Sequence, residues 1–184
     1  LAFDAGLGVI LEKLEEIGEL DNTLFVVSGD HGIPGIPRAK CNLYDIGCEV
    51  ALAARWPGHI EAGRELDDFV NLMDLGPTFL DAAGVDIPDS MTGKSLVPVF
   101  ESTQSGLVDQ DRTFVVTGRE RHVGFAREGF LPYPQRCLRE KDHIYIINFE
   151  PDRWPMGDPR GLDDLSAQAP EFAQLEWNTM VAYP

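Results

Sequence analysis

The run Thr23-Leu24-Phe25-Val26-Val27-Ser28 constrains the fold of this chain more than any other feature. It is short, apolar and rich in β-branched residues, and it follows a segment with Ile10, Leu11, Leu14 and Ile17 at helical spacing. Gly18 is the expected helix stop and Asp21-Asn22 the turn into the strand. Helix, apolar strand, then the polar loop Gly29-Asp30-His31-Gly32 predicts αβ alternation, with the strand buried on both faces of a parallel sheet. Open α/β sheets bind ligands beyond the carboxyl ends of such strands, so Asp30 and His31 become the first candidate site residues.

Val50 to Trp56 reads as a second buried strand stopped by Pro57-Gly58. Asp67 to Gly84 carries a helical pattern in Leu72, Leu75, Phe79 and Leu80, so that the helix begins near Gly76 or kinks at Pro77. The looser stretch Asp86 to Asp109 offers the best internal boundary, giving an expected α/β portion over 1–100 and a small α+β subdomain over 101–184. Thr113 to Thr117 is a predicted strand. Gln135 to Arg139 and His143 to Asn148 form a predicted antiparallel hairpin, and Glu171 to Met180 a late helix.

Charge narrows the partners. The chain has 31 acidic and 15 basic residues, a formal net charge of −16, which excludes a non-specific nucleic-acid binder and disfavours an anionic membrane surface. It does not exclude an anionic substrate, because a lysine and a metal reverse the field locally. No apolar run is long enough to span a bilayer. The start at Leu1, without methionine or leader, is what a processed form or a piece of a longer protein would show. Cys41, Cys48 and Cys137 are an odd set without a close pair, and all three are expected free.

Adjacent Asp30 and His31, with glycine on either side, can present oxygen and nitrogen to one hard cation such as Ca²⁺ or Mg²⁺. Alternatively Asp30 caps a turn and His31 is a hydrogen-bonded surface residue. Two donors do not complete a site, so further carboxylates must come from elsewhere. Arg38 and Lys40, on the following proline-stiffened loop, are either anion-binding cations or ordinary surface charge. In Arg119-Glu120-Arg121-His122, Arg121 is a candidate for a sugar carboxylate or sulfate and His122 a candidate donor to a leaving group. The alternative there is a charged loop with an internal Arg–Glu pair.

The run Leu20-Asp21-Asn22-Thr23 through Ser28-Gly29-Asp30-His31-Gly32 resembles the sulfatases of the alkaline-phosphatase superfamily. Ile33-Pro34, Pro37-Arg38-Ala39-Lys40 and Asn42-Leu43-Tyr44-Asp45 are most similar to the heparan N-sulfatase (N-sulfoglucosamine sulfohydrolase) branch. Arg55-Trp56-Pro57-Gly58, Asp74-Leu75-Gly76-Pro77-Thr78, Met91-Thr92-Gly93-Lys94-Ser95-Leu96 and Tyr133-Pro134 to Trp154 continue the resemblance in order. It implies part of an αβα sandwich, followed by a small antiparallel sheet with a C-terminal helix. The activity it implies is hydrolysis of sulfate esters or N-sulfates on a saccharide, with Asp30 and His31 on a divalent ion and Lys40 on the sulfate. That ion is calcium by family habit, with Mg²⁺ or Mn²⁺ as alternatives. The resemblance also points to a periplasmic or secreted setting.

The family's nucleophile is a formylglycine made from Cys or Ser in a C/S-x-P-x-R motif, and no such motif occurs here: Cys41 is followed by Asn42-Leu43-Tyr44 and Cys137 by Leu138-Arg139-Glu140. The chain therefore resembles the later part of a sulfatase, whose missing N-terminal part is an expected partner. Self-association through an uncovered sheet edge is a further expectation. Two other functions stay open, a non-catalytic fragment or binding module, and a metal-dependent phosphatase or phosphonate hydrolase of the same superfamily.

Overall fold

The computed structural model describes residues 2–34, 36, 38–121 and 128–153. His122, Trp154 and the expected helix Glu171 to Met180 lie outside the described residues. The chain divides into two compact units, Leu1–Ser28 with Leu52–Thr113, and Gly29–Ala51 with Phe114–Pro184.

In the first unit, helix α1 (Ala2–Glu16) ends where Gly18 takes φ 73°. The Gly18 N–H then donates to Glu15 O at 3.0 Å and the Glu19 N–H to Leu14 O at 2.9 Å, which satisfies two terminal carbonyls. Strand β1 (Phe25–Ser28) follows and pairs with β2 (Leu52–Arg55). That pairing corrects the expected parallel sheet: it is antiparallel, with Phe25 opposite Arg55 and Ser28 opposite Leu52. All four residues of β1 are half-buried, not enclosed on both faces. A parallel neighbour needs a crossover, usually a helix, whereas the described residues of 29–51 contain one four-residue helix and return as a loop.

Helix α3 (Leu75–Ala82) places Pro77 in its first turn, where a missing N–H costs nothing, so no kink forms. Helix α4 (Val97–Phe100) supplies Val99 and Phe100 to a core with Leu96, Pro77, Thr78 and Trp56. Polar side chains hold the loops around it. Asp68 accepts from the N–H groups of Val108 and Asp109 at 3.0 and 2.7 Å. Arg64 donates to the carbonyls of Phe100 and Val99 at 2.8 and 3.0 Å.

The second unit holds α2 (Asp45–Cys48) and a three-stranded antiparallel sheet of β3 (Phe114–Arg119), β4 (Gln135–Glu140) and β5 (Ile144–Asn148), in that order. The expected hairpin is therefore present, with Leu138 opposite Tyr145. One sheet face presents Val115, Thr117 and Arg119 beside Cys137 and Arg139, and α2 packs on it through Asp45. Among the described residues no helix is long and apolar enough to cross a membrane.

Candidate functional site

Residues 29–51 leave and return through one backbone bond, Gly29 N–H to Ala51 O at 3.0 Å. Inside that neck the loop is stacked on glycines. Gly32 donates to Gly47 O at 2.9 Å, and a Cβ on Gly32 would lie 1.8 Å from the Ile46 carbonyl oxygen. A Cβ on Gly47 would lie 2.4 Å from Ala39 O and 2.5 Å from Asn42 O. The segment carrying His31 is thus pressed against α2, and α2 against the segment carrying Lys40. The Lys40 N–H closes the circuit by donating to Ile33 O at 3.1 Å.

His31 donates from Nδ1 to Gly32 O at 2.9 Å, a direction that follows because a carbonyl only accepts. This leaves Nε2 as the lone-pair nitrogen of the neutral ring, 3.2 Å from Asp30 Oδ2. Two acceptors that close call for a proton on Nε2 or a cation shared between them. Asp30 and His31 are the residues here that could hold a divalent ion, with a carbonyl orienting the imidazole from behind. Among the described residues no group of three or more His, Cys, Asp or Glu could hold a metal ion.

Lys40 is half-buried and Arg38 exposed, its guanidinium 4.9 Å from the Tyr44 ring centroid. Arg38 and Cys41, on either side of Lys40, have φ of 61° and 71°, a left-handed conformation that costs non-glycine residues energy. Arg121 is exposed just past β3, and His122 lies outside the described residues. Glu120 pairs with Arg136 of β4 at 2.5 Å. His31 opens onto a cleft of about 630 Å³ lined also by Asp45, Ile46 and Glu49.

No local sequence pattern marks Asp45, Arg119 or Arg139 for a part in holding this loop. Arg139 grips Asp45 with Nε at 2.7 Å and Nη2 at 3.0 Å, and Arg119 donates to the Cys41 carbonyl. The available signal was arginine recurring two residues after Thr117 and Cys137, on one face of adjacent strands.

The Arg139 guanidinium, mainly through these hydrogen bonds, holds the Asp45 carboxyl below its ordinary value. The unfolded chain then binds that proton more readily, so Asp45 contributes stability above pH about 3.9 that is lost as pH falls through its lower folded value. Asp45→Asn is expected to flatten the acid limb of the unfolding curve. The effect is about 0.5 kcal/mol, because the side chain is half exposed. Chemical denaturation at a series of acidic pH values measures it, and parallel acid limbs for both proteins would refute it.

None of the three cysteines is in a disulfide. Desolvation pushes the thiols of Cys48 and Cys137 up, the Thr117 hydroxyl opposing it in both, so neither is an activated nucleophile.

Residues 37–114 match the N-sulphoglucosamine sulphohydrolase, C-terminal family. The chain is 39% identical to N-acetylglucosamine-6-O-sulfatase of Bacteroides thetaiotaomicron over 98% of its length, covering 33% of that protein. It is 29% identical to human N-sulphoglucosamine sulphohydrolase over 98% of its length, covering 35% of that protein. The solved structure of BT4656 in complex with its substrate D-glucosamine-2-N,6-O-disulfate superposes with a TM-score of 0.58 at 26% identity, across 96% of this chain and 37% of that one. The chain spans about a third of the length of these curated relatives.

Proposed function

Because this chain belongs to the sulfatases of the alkaline-phosphatase superfamily, as their C-terminal part, we propose that the whole protein hydrolyses a sulfate ester or N-sulfate on a saccharide. The observation that carries the proposal is the glycine-stacked loop, which sets the Asp30–His31 donor pair and the Lys40 backbone around one short stretch of chain. Asp30 and His31 hold a divalent ion, calcium before Mg²⁺ or Mn²⁺, and its chemistry when bound is to withdraw charge from a sulfate oxygen. Lys40, and Arg38 beside it, supply positive charge to the sulfate as its bond to the leaving group breaks. The Gly32 carbonyl keeps the His31 ring in one orientation throughout. Arg121 contacts the sugar or its anionic groups, and His122 gives a proton to the leaving group. The formylglycine nucleophile belongs to the upstream part of the protein, and a periplasmic or secreted location suits such a substrate.

The whole protein is expected to release sulfate from sulfated glucosamine and to prefer it over the phosphate analogue. Lys40→Ala should lower kcat/KM about 100- to 1,000-fold. The 184-residue chain alone should show no turnover of an aryl sulfate with excess calcium, and should bind calcium no tighter than about millimolar. A preference for the phosphate analogue would overturn the assignment. Steady turnover by the chain alone that disappears in Asp30→Ala would instead show these residues to be self-sufficient and overturn the placing of the nucleophile upstream.

A further inference from the structure

In the unit that holds α2 and the β3–β5 sheet, two of the three thiols stand on elements joined by contacts unrelated to the donor pair. Asp45 and Cys48 stand three residues apart on α2, hence on one helical face. Cys137 and Arg139 stand two residues apart on β4, hence on one sheet face. The two-pronged Arg139–Asp45 pair, at 2.7 and 3.0 Å, fixes these faces against each other. Thr117 lies directly opposite Cys137 in the β3–β4 ladder, and its hydroxyl opposes the upward shift of both thiols. The two residues also differ in access. Cys137 is 2% exposed, whereas Cys48 is an exposed residue whose Sγ donates to Asn42 O at 3.3 Å.

We propose that Cys48 and Cys137 form a reversible disulfide when the protein meets a low-molecular-weight disulfide oxidant, locking α2 onto the sheet. The exposed partner reacts first. The Cys48 thiolate attacks one sulfur of oxidised glutathione, the glutathione S–S bond breaks, and one glutathione leaves as thiolate and takes up the proton Cys48 gave to water. The Cys137 thiolate then attacks the Cys48 sulfur of the mixed disulfide, and the second glutathione leaves and is protonated in turn. The protein dithiol is oxidised by two electrons, and one glutathione disulfide is reduced to two thiols. The bond would covalently fix the helix that supplies Asp45, Ile46 and Glu49 to the cleft beside His31. It does not depend on the hydrolytic activity proposed above.

The test uses the protein at about pH 9.5, above the ordinary thiol range because both thiols are pushed up, with oxidised glutathione, followed by alkylation with N-ethylmaleimide and non-reducing peptide mass spectrometry. The native sample should give the Cys48 peptide joined to the Cys137 peptide with loss of two hydrogens, Cys41 carrying the maleimide. Dithiothreitol should reverse the link, and Cys41→Ser should retain it. A guanidinium-unfolded sample should instead favour Cys41–Cys48, because the shorter loop costs less entropy to close. Overturning results are a native Cys41–Cys48 link, a glutathione adduct that persists on Cys48 beside alkylated Cys137, or three alkylated cysteines.

Discussion

Gly32→Ala is expected to destabilise the unit containing residues 29–51 by about 3 kcal/mol or more, the upper range for forcing atoms into a packed site. Gly32 is not a left-handed glycine, so its need is for space, not for backbone freedom. The new methyl carbon would sit 1.8 Å from the Ile46 carbonyl oxygen and 2.8 Å from the Gly47 Cα. Both are backbone atoms, held in turn by the Gly32 N–H to Gly47 O bond, and no side-chain rotation relieves the overlap. Relief requires α2 to separate from the His31 segment. The cleft wall at Asp45, Ile46 and Glu49 and the orientation of the His31 ring are then lost together. Gly8→Ala makes the contrasting case. Its Cβ would meet nothing within 4 Å, and it lies inside α1, where alanine is favoured over glycine by about 1 kcal/mol. The two variants, same substitution and same chain, should shift the denaturation midpoint in opposite directions. Equal midpoints for Gly32→Ala and the parent would show that the stacked loop is not tightly packed.

That packing is also where sequence and structure part company. The elements with strong local signals are in place: the helix ending at Gly18, the strand before Gly29, and the hairpin around Lys141. Asp30 and His31 were legible because a polar pair after an apolar run stands out whatever the tertiary structure. The direction of β1 was not, since an apolar run of four to six residues says that a strand is covered and not which neighbour covers it. The glycine stack was equally hidden. Gly32 and Gly47 look like ordinary loop glycines until the carbonyls of Ile46, Ala39 and Asn42 are placed against them. Asp45 and Arg139 are far apart in the chain, and only the sheet register makes them partners.

Asp74→Ala is expected to cost about 3–5 kcal/mol, the range for removing one partner of a buried ion pair. By helical pattern Asp74 falls off the apolar stripe and would be assigned to solvent, yet its carboxylate is one of the most enclosed polar groups described. Oδ1 accepts from the Lys94 N–H at 2.9 Å. Oδ2 accepts from the Asn71 N–H at 3.1 Å and from Arg112 Nη1 at 2.8 Å. The side chains of Asp74 and Arg112 are 9% and 5% exposed. Arg112 continues the network through Nη2 to the carbonyls of Lys94 and Ser95 at 2.9 and 3.1 Å. Deleting the carboxylate takes the acceptor from two backbone donors and leaves the buried guanidinium the more exposed Asp109 carboxylate, 3.4 Å from Nε, so the penalty is mainly desolvation and not the lost attraction. Arg112→Met should be costly for the mirror-image reason, leaving a buried carboxylate with two neutral donors. If the cost is desolvation of the survivor, the double variant Asp74→Ala/Arg112→Met must be less destabilised than the two single losses added together. Urea unfolding of the four proteins measures this directly. Strict additivity would mean that Asp74 and Arg112 act independently and that α3 is anchored by its apolar contacts with Leu96, Val99 and Phe100 alone.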